Sequence, residues 1–225
     1  MLYKAVITGD IVNSRKVDDL QVLLQVLKES IPEIGKELST KISFEIYRGD
    51  SFQILINDSE KAMKIAILIR SKLRSKTPHF KPEYINIPLE KLWDARLSIG
   101  VGQVDRPASK IVESTGIAFE LSGNQLDNMK NSQDKIRLIS DWENLNPQFE
   151  VLAKLSDAII SRWTLSSSEA SYRYLLFDET QKQIAKNLKI SQPAVHKRLN
   201  IANIDAVESM LNYLNLTIKK QTNGI

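Results

Sequence analysis

The chain contains no cysteine. That excludes disulfides, thiolate zinc sites and cysteine nucleophiles, and it suits a reducing compartment. Its two histidines, His79 and His196, each stand alone. There is no Walker A loop, no dinucleotide-binding glycine fingerprint and no Gly-x-Ser-x-Gly elbow. No apolar run approaches the roughly 20 residues of a membrane span. The opening Met1-Leu2-Tyr3-Lys4-Ala5-Val6-Ile7-Thr8-Gly9-Asp10 has no stretch of signal-peptide length. These absences lead to an expected cytoplasmic location, with no membrane partner.

What remains is an ordinary globular composition, 42% apolar and 26% charged over 225 residues, which allows one large or two small domains. The net charge of +4 is unevenly placed. From Gln181 onward seven cations, Lys182, Lys186, Lys189, Lys197, Arg198, Lys219 and Lys220, face two carboxylates, Asp205 and Glu208. The last fifth is thus +5 and residues 1–180 are −1. Such a distribution suits a solvated basic helix or an electrostatic footprint for phosphate.

Tyr3-Lys4-Ala5-Val6-Ile7 is β-prone and ends at Gly9-Asp10. Asp18 to Ser30 carries a helical apolar stripe, which Pro32 and Gly35 are expected to interrupt. Residues 43–47 and 51–56 alternate as two strands, joined at Arg48-Gly49-Asp50 by a tight turn. A helix is expected from Glu60 to about Lys76, capped by Asp58 or Ser59. Residues 77–92 hold three prolines and read as irregular. Ala95 to Gly102 is a strand, Gly116 to Met129 a helix, and 136–139 a last short strand. The order β-α-β-β-α-β, then helix and strand, predicts an α+β fold of ferredoxin-like type with helices on one face. After about Asp141 the strand signals stop, so a domain of residues 1–145 is expected before a helical one of 146–225.

The helical part contains a position-specific pattern. Thr180 can cap a helix over Gln181–Leu188, with Ile184 and Leu188 inward and Ala185 small at the crossing. Ile190 plugs the turn. Ser191 caps a second helix and Pro193 sits in its first turn, where a missing N–H costs little. Val195 and Leu199 turn inward, leaving Gln192, Pro193, His196, Lys197 and Asn200 exposed. This resembles the helix-turn-helix of many bacterial regulators, in which Ile-Ser-Gln-Pro-Ala-Val opens the recognition helix. The resemblance implies duplex DNA as partner, contacted by Ser191, Gln192, Pro193, His196, Lys197 and Arg198. The turn position usually held by glycine is Lys189, which must carry a positive φ. Ile204, Val207, Leu211, Leu214 and Ile218 then form a seam with spacings of three and four. It either packs on its own domain or joins a homodimer. Trp93, Trp142 and Trp163 read as core or contact residues rather than a base-stacking platform.

Two acidic residues stand out in the first region. Asp10 ends the first strand and Asp50 sits at the hairpin tip, so in a ferredoxin-like sheet both can point at one place. Paired carboxylates with few other ligands suit Mg²⁺, which keeps waters and phosphate oxygens. Asn13, Ser14, Arg15 and Arg48 lie near enough in sequence to bind phosphate. The plain alternative is a turn aspartate after glycine.

Asp10-Ile11, Gly49-Asp50, the strand Arg96–Gly102 and the helix opening Gly116-Ile117-Ala118-Phe119 resemble the catalytic palm of class III nucleotide cyclases. That resemblance implies a metal–nucleotide ligand, with Asp10 and Asp50 on Mg²⁺. The asparagine and arginine those cyclases use at the transition state align with Glu120 and Asn124, a departure that argues against cyclase activity. With the C-terminal helix-turn-helix, the whole chain resembles the SatD family of bacterial proteins. The expected protein is a DNA-binding regulator whose cyclase-like domain senses a nucleotide or other phosphate ligand. The rivals are a metal-dependent cyclase or nucleotidyltransferase, and a pure interaction module.

Overall fold

The computed structural model describes residues 3–78, 87–105, 111 and 114–223, with the side chain of Arg48 excepted. His79 and most of the expected irregular segment lie outside the described residues. Within them a five-stranded sheet is built from β1 (Tyr3–Ile11), β2 (Ile42–Arg48), β3 (Ser51–Ile56), β4 (Ala95–Gln103) and β5 (Ile136–Ser140). The spatial order is β2-β3-β1-β4-β5, antiparallel except for β5 alongside β4. The first four strands have the ferredoxin-like arrangement that the sequence order predicts. The two-residue turn Gly49-Asp50 joins β2 to β3, and Gly49 takes φ +58° there, a conformation that favours glycine.

Strand alternation splits the sheet's side chains between two faces. Ala5, Ile7 and Ile11 of β1 and Leu97, Ile99 and Val101 of β4 enter the main core, shared with α1 (Leu20–Glu37) and α2 (Ala62–Ser75). Val6 joins a smaller cluster with Leu55 and Ala118 on the opposite face, under α3 (Ile117–Met129). Helices therefore cover both faces rather than one. Thr8 and Ser122 share a 2.8 Å hydrogen bond that pins α3 to β1. A Cβ at Gly100 would come within 2.4 Å of the Ala118 carbonyl, so glycine lets α3 lie close on β4.

The expected break at Pro32 and Gly35 does not occur. α1 runs through both to Glu37. The buried stripe Leu23, Leu24, Leu27, Ile31 and Ile34 continues across the proline, and this packing outweighs one lost backbone hydrogen bond. The expected caps of the second helix also differ. Ser59–Lys61 forms a 3-10 turn, α2 begins at Ala62, and Asp58 makes no side-chain cap.

The helical region comprises α4 (Asn146–Ile160), α5 (Leu165–Phe177), α6 (Gln181–Leu188), α7 (Gln192–Ile201) and α8 (Ile204–Asn223). Side-chain caps start three of these helices. Thr164 accepts from the Ser167 amide, Thr180 forms a reciprocal capping box with Gln183, and Ser191 accepts from the Ala194 amide. Lys189 closes α6 at φ 54°, the left-handed geometry expected there. Ile204, Val207, Leu211, Leu214 and Ile218 are all buried within the chain. Of the two readings of the seam, intrachain packing is the one observed.

Core residues of this region, including Phe149, Trp163, Ile184 and Val195, belong to the same buried cluster as the sheet. A buried polar lock reinforces the junction. Arg70 of α2 grips Asp94 with two hydrogen bonds of 2.7 and 2.8 Å, and reaches Asp157 of α4 at 2.6 Å. Arg74 binds Asp94 at 2.7 Å and the Trp163 carbonyl at 2.7 Å. Both arginines are fully buried. Buried ions persist when each is paired and hydrogen-bonded, which is the case here. No helix among the described residues is long and apolar enough to cross a membrane.

Candidate functional site

The first candidate centre lies where β1 ends and β3 and β4 begin. Asp10 shares a sheet face with Val6 and Thr8, and it pairs in register with Ser51 of β3 and Arg96 of β4. The Ile11 amide donates to the Asp50 carbonyl at 3.2 Å, which fixes the hairpin tip beside Asp10. The Val12 amide donates to the Asp94 carbonyl at 3.0 Å, so the chain after Asp10 is held from both sides.

Arg96 donates from Nη1 to Asp10 Oδ2 at 3.1 Å, with side chains 22% and 19% exposed. The other oxygen, Asp10 Oδ1, is buried and has no hydrogen-bond partner among the described residues. Burial pushes the Asp10 carboxyl above its usual range; Arg96 opposes this, while the neighbouring Asp50 charge adds to it. Lys130, one residue past α3, is an exposed cation in the same neighbourhood. Its ammonium pairs with Asp127 at 2.6 Å, and its charge interacts with Asp10 and Arg96.

Sequence reasoning did not find Arg96 or Lys130. Arg96 could have been found by pairing Asp10 across the sheet, because the antiparallel register places it directly opposite. Lys130 carries no local signal, since only the packing of α3 on the sheet brings its charge near Asp10 and Arg96. Of the expected phosphate residues, Ser14 and Arg15 form a 3-10 turn with Lys16 just after β1, and Arg15 is exposed. Asn13 adopts φ 54°. Arg48 ends β2, and its side chain is outside the described part. A cavity of about 620 Å³ opens beside this turn, lined by Asn13, Lys16, Asp18 and Asp19 on one side and Thr77 and Trp93 on the other.

Among the described residues no group of three or more Asp, Glu or His side chains is placed to hold a metal. Mg²⁺ does not require such a group, since it takes one or two carboxylates and fills its shell with water and phosphate oxygens. The unpaired, buried Asp10 oxygen beside Asp50 fits that donor set. Asp10 and Asp50 would hold the ion, which when bound would neutralise phosphate charge.

The second centre is the exposed side of α6 and α7. Gln192, Pro193, His196, Lys197 and Asn200 are exposed, while Val195 and Leu199 are buried. Ser191 is occupied as the cap of α7. Arg198 is half-buried and turns back toward Glu169 of α5 at 3.6 Å. His196 sits between two amides, with Nε2 3.0 Å from Asn200 Nδ2 and Nδ1 3.5 Å from Gln181 Nε2.

The fold and these two centres describe an α+β sheet protein with a half-buried aspartate–arginine contact at one strand-end edge of its sheet, followed by a helical region with a basic face. The chain belongs to the SatD family, whose model matches residues 3–208. No curated protein matches it. Among solved structures it is similar to a bacterial light-regulated adenylyl cyclase, at 12% identity over 61% of this chain and 75% of the other, with a TM-score of 0.45. It is also similar to the active GGEEF domain of a diguanylate cyclase from Vibrio cholerae, at 14% identity over 62% and 83%, with a TM-score of 0.42. A third similarity is to the GGDEF domain of DgcB from Caulobacter crescentus in complex with c-di-GMP, at 16% identity over 61% and 77%, with a TM-score of 0.38.

Proposed function

We propose that the protein is a cytoplasmic DNA-binding regulator whose sheet domain binds a metal–nucleotide or related phosphate ligand. The observation that carries the DNA reading is the division of α7. Its inward side, Val195 and Leu199, is consumed by the core, while Gln192, His196 and Lys197 are presented to solvent at and beyond a capped helix start. A helix presented this way fits the major groove, with its first turns at the base edges. No acidic residue lies between Gln181 and Asn203, so the same surface attracts phosphate. A homodimer belongs to this reading, because helix-turn-helix proteins meet two-fold operators. The buried seam of α8 cannot supply that contact, so it must come from another face. The test is a selected-sequence binding assay on duplex DNA at low salt. Absence of binding above background would reduce α6–α7 to a packing unit.

The second reading is enzymatic, and the unpaired oxygen of Asp10 favours it. A divalent cation on Asp10 and Asp50 could support nucleotide cyclisation or nucleotidyl transfer. Glu120 and Asn124 are exposed on α3, and neither offers the cation that a pentavalent phosphate needs. Turnover assays with the four nucleoside triphosphates and Mg²⁺ separate enzyme from sensor.

A further inference from the structure

The Asp10–Arg96 contact has an unusual division of labour. Arg96 uses one nitrogen on one oxygen of Asp10, at 3.1 Å. A guanidinium has five N–H donors in a flat fork, and its favoured partners are carboxylates or phosphates gripped by two of them. Among the described residues Arg96 makes no second side-chain hydrogen bond, so most of its donors remain free. Asp10 in turn offers Arg96 one oxygen and keeps the other buried and unmatched. Elsewhere in the same protein an arginine and an aspartate meet in the full two-pronged geometry, in the pair Arg70–Asp94. The contrast marks Asp10–Arg96 as a contact that can be exchanged at little cost.

Charge supplies the direction of exchange. Asp10 is hydrogen-bonded by the opposite charge of Arg96, and the like charge of Asp50, whose carbonyl accepts from the Ile11 amide, raises its carboxyl. A divalent cation drawn to the two carboxylates would be strongly attracted by both and would repel the guanidinium beside them. Arg96 would leave Asp10 and need a new anion within its reach. Phosphate oxygens that complete the shell of a carboxylate-held Mg²⁺ would supply that anion.

We propose that Arg96 is an exchange residue, which neutralises Asp10 until a divalent cation takes that carboxylate and then binds the phosphate groups that arrive with the cation. The proposal rests on the metal–phosphate reading of this site. It makes metal and polyphosphate binding cooperative through one side chain, and Arg96 opposes the metal alone while favouring the metal with its phosphate.

The experiment uses the full chain and two probes. The first is Mn²⁺ alone, followed by the paramagnetic resonance of the free ion. The second is the preformed 1:1 complex of Mg²⁺ with inorganic tripolyphosphate, followed by calorimetry. Arg96→Met keeps the apolar stem and removes the charge. It should bind Mn²⁺ alone several-fold more tightly than the parent and bind Mg²⁺–tripolyphosphate at least ten-fold more weakly. Arg96→Lys keeps a competing charge but loses the fork. It should bind Mn²⁺ like the parent and tripolyphosphate more weakly, and it serves as the check if Arg96→Met folds poorly. If Mn²⁺ binding is unchanged or weaker in Arg96→Met while Asp10→Asn abolishes it, the exchange is wrong and the metal site stands. Likewise, parent-like tripolyphosphate binding in both Arg96 variants overturns the exchange. If the parent itself binds neither probe, the metal–phosphate reading fails and the exchange fails with it.

Discussion

Trp163 donates its indole N–H to the carbonyl of Ala202, at the end of α7, over 2.8 Å. The same residue is fully buried, and its own carbonyl accepts from Arg74. One residue, through its side chain and its backbone carbonyl, therefore ties the end of the basic helix to the buried polar lock. Trp163→Phe keeps most of the ring and removes the donor, leaving the Ala202 carbonyl unmatched. The expected cost is about 1–3 kcal/mol of folding stability. Urea unfolding checks it, and an unchanged midpoint would show that water replaces the donor.

Asp94 is the anion on which Arg70 and Arg74 converge. Burial would push its carboxyl up, but the Arg70 guanidinium, and then Arg74, overcome this and hold it well below the usual carboxylate range. A folded-state value below the unfolded one means that the stabilisation is present above about pH 4, the ordinary aspartate value. It is lost as pH falls below that point. Asp94→Ala should destabilise by about 3–5 kcal/mol at neutral pH, because two buried guanidinium groups lose their main partner. It should also flatten the dependence of stability on pH below about 4. The exposed pair Glu150–Lys154 within α4 serves as the control, and Lys154→Ala should cost less than about 1 kcal/mol. A comparable loss in both variants would mean that burial does not govern these pairs.

The parts of this molecule legible in the sequence depend on neighbours in the chain. The alternation of 51–56, the caps Thr180 and Ser191, the turn at Lys189 and the inward set Ile184, Val195 and Leu199 each need a window of a few residues. The strand order follows from the order of elements. The Asp10–Arg96 contact needs the register of β1 against β4, and Arg70–Asp94–Asp157 needs three segments up to 87 residues apart. No local pattern signals either. Pro32 misleads for the converse reason, since a local rule yields there to burial on both sides of it. The α8 seam is ambiguous in the sequence because a stripe of period 3.5 looks the same whether its partner is the same chain or a second copy.

Asp10 carries a desolvation penalty that the fold does not recover. Its carboxyl is raised by burial, with Asp50 adding and Arg96 opposing. A raised folded-state value means the stability contribution is full at acidic pH and is lost as pH rises through that value. Asp10→Asn mimics the neutral form and can still accept from Arg96. It should raise the melting temperature at neutral pH and leave it nearly unchanged at acidic pH. It should also remove any shift caused by Mg²⁺ with a nucleoside triphosphate. A lower melting temperature at neutral pH would show that the Arg96 contact outweighs the penalty.

Lys189 holds the turn between α6 and α7 at φ 54°. A non-glycine residue in this conformation costs about 1–2 kcal/mol. Lys189→Gly should relieve part of that and stabilise the chain by up to about 1 kcal/mol, since glycine also loses more freedom on folding. Thermal and urea unfolding together check it. Destabilisation would mean that the lysine stem contributes packing that exceeds the backbone strain.

Gln192 and Lys197 separate two roles on one helix. Both are exposed, Gln192 at the start of α7 and Lys197 farther along it. A lysine ammonium reaches phosphates, which are alike in every sequence. Lys197→Ala should weaken binding to all duplexes in parallel and lower the salt slope by about one unit. Glutamine can pair with both edges of an adenine, a contact worth about 1–3 kcal/mol of discrimination. Gln192→Ala should relax sequence preference and leave non-specific affinity and the salt slope nearly intact. The measurement is a selected-sequence binding assay on both variants at two salt concentrations. Arg198 offers an internal contrast, since its approach to Glu169 at 3.6 Å competes with any phosphate. Arg198→Ala should reduce the salt slope less than Lys197→Ala. If Gln192→Ala and Lys197→Ala weaken binding identically at every sequence and salt, α7 reads no bases and its contacts are electrostatic alone.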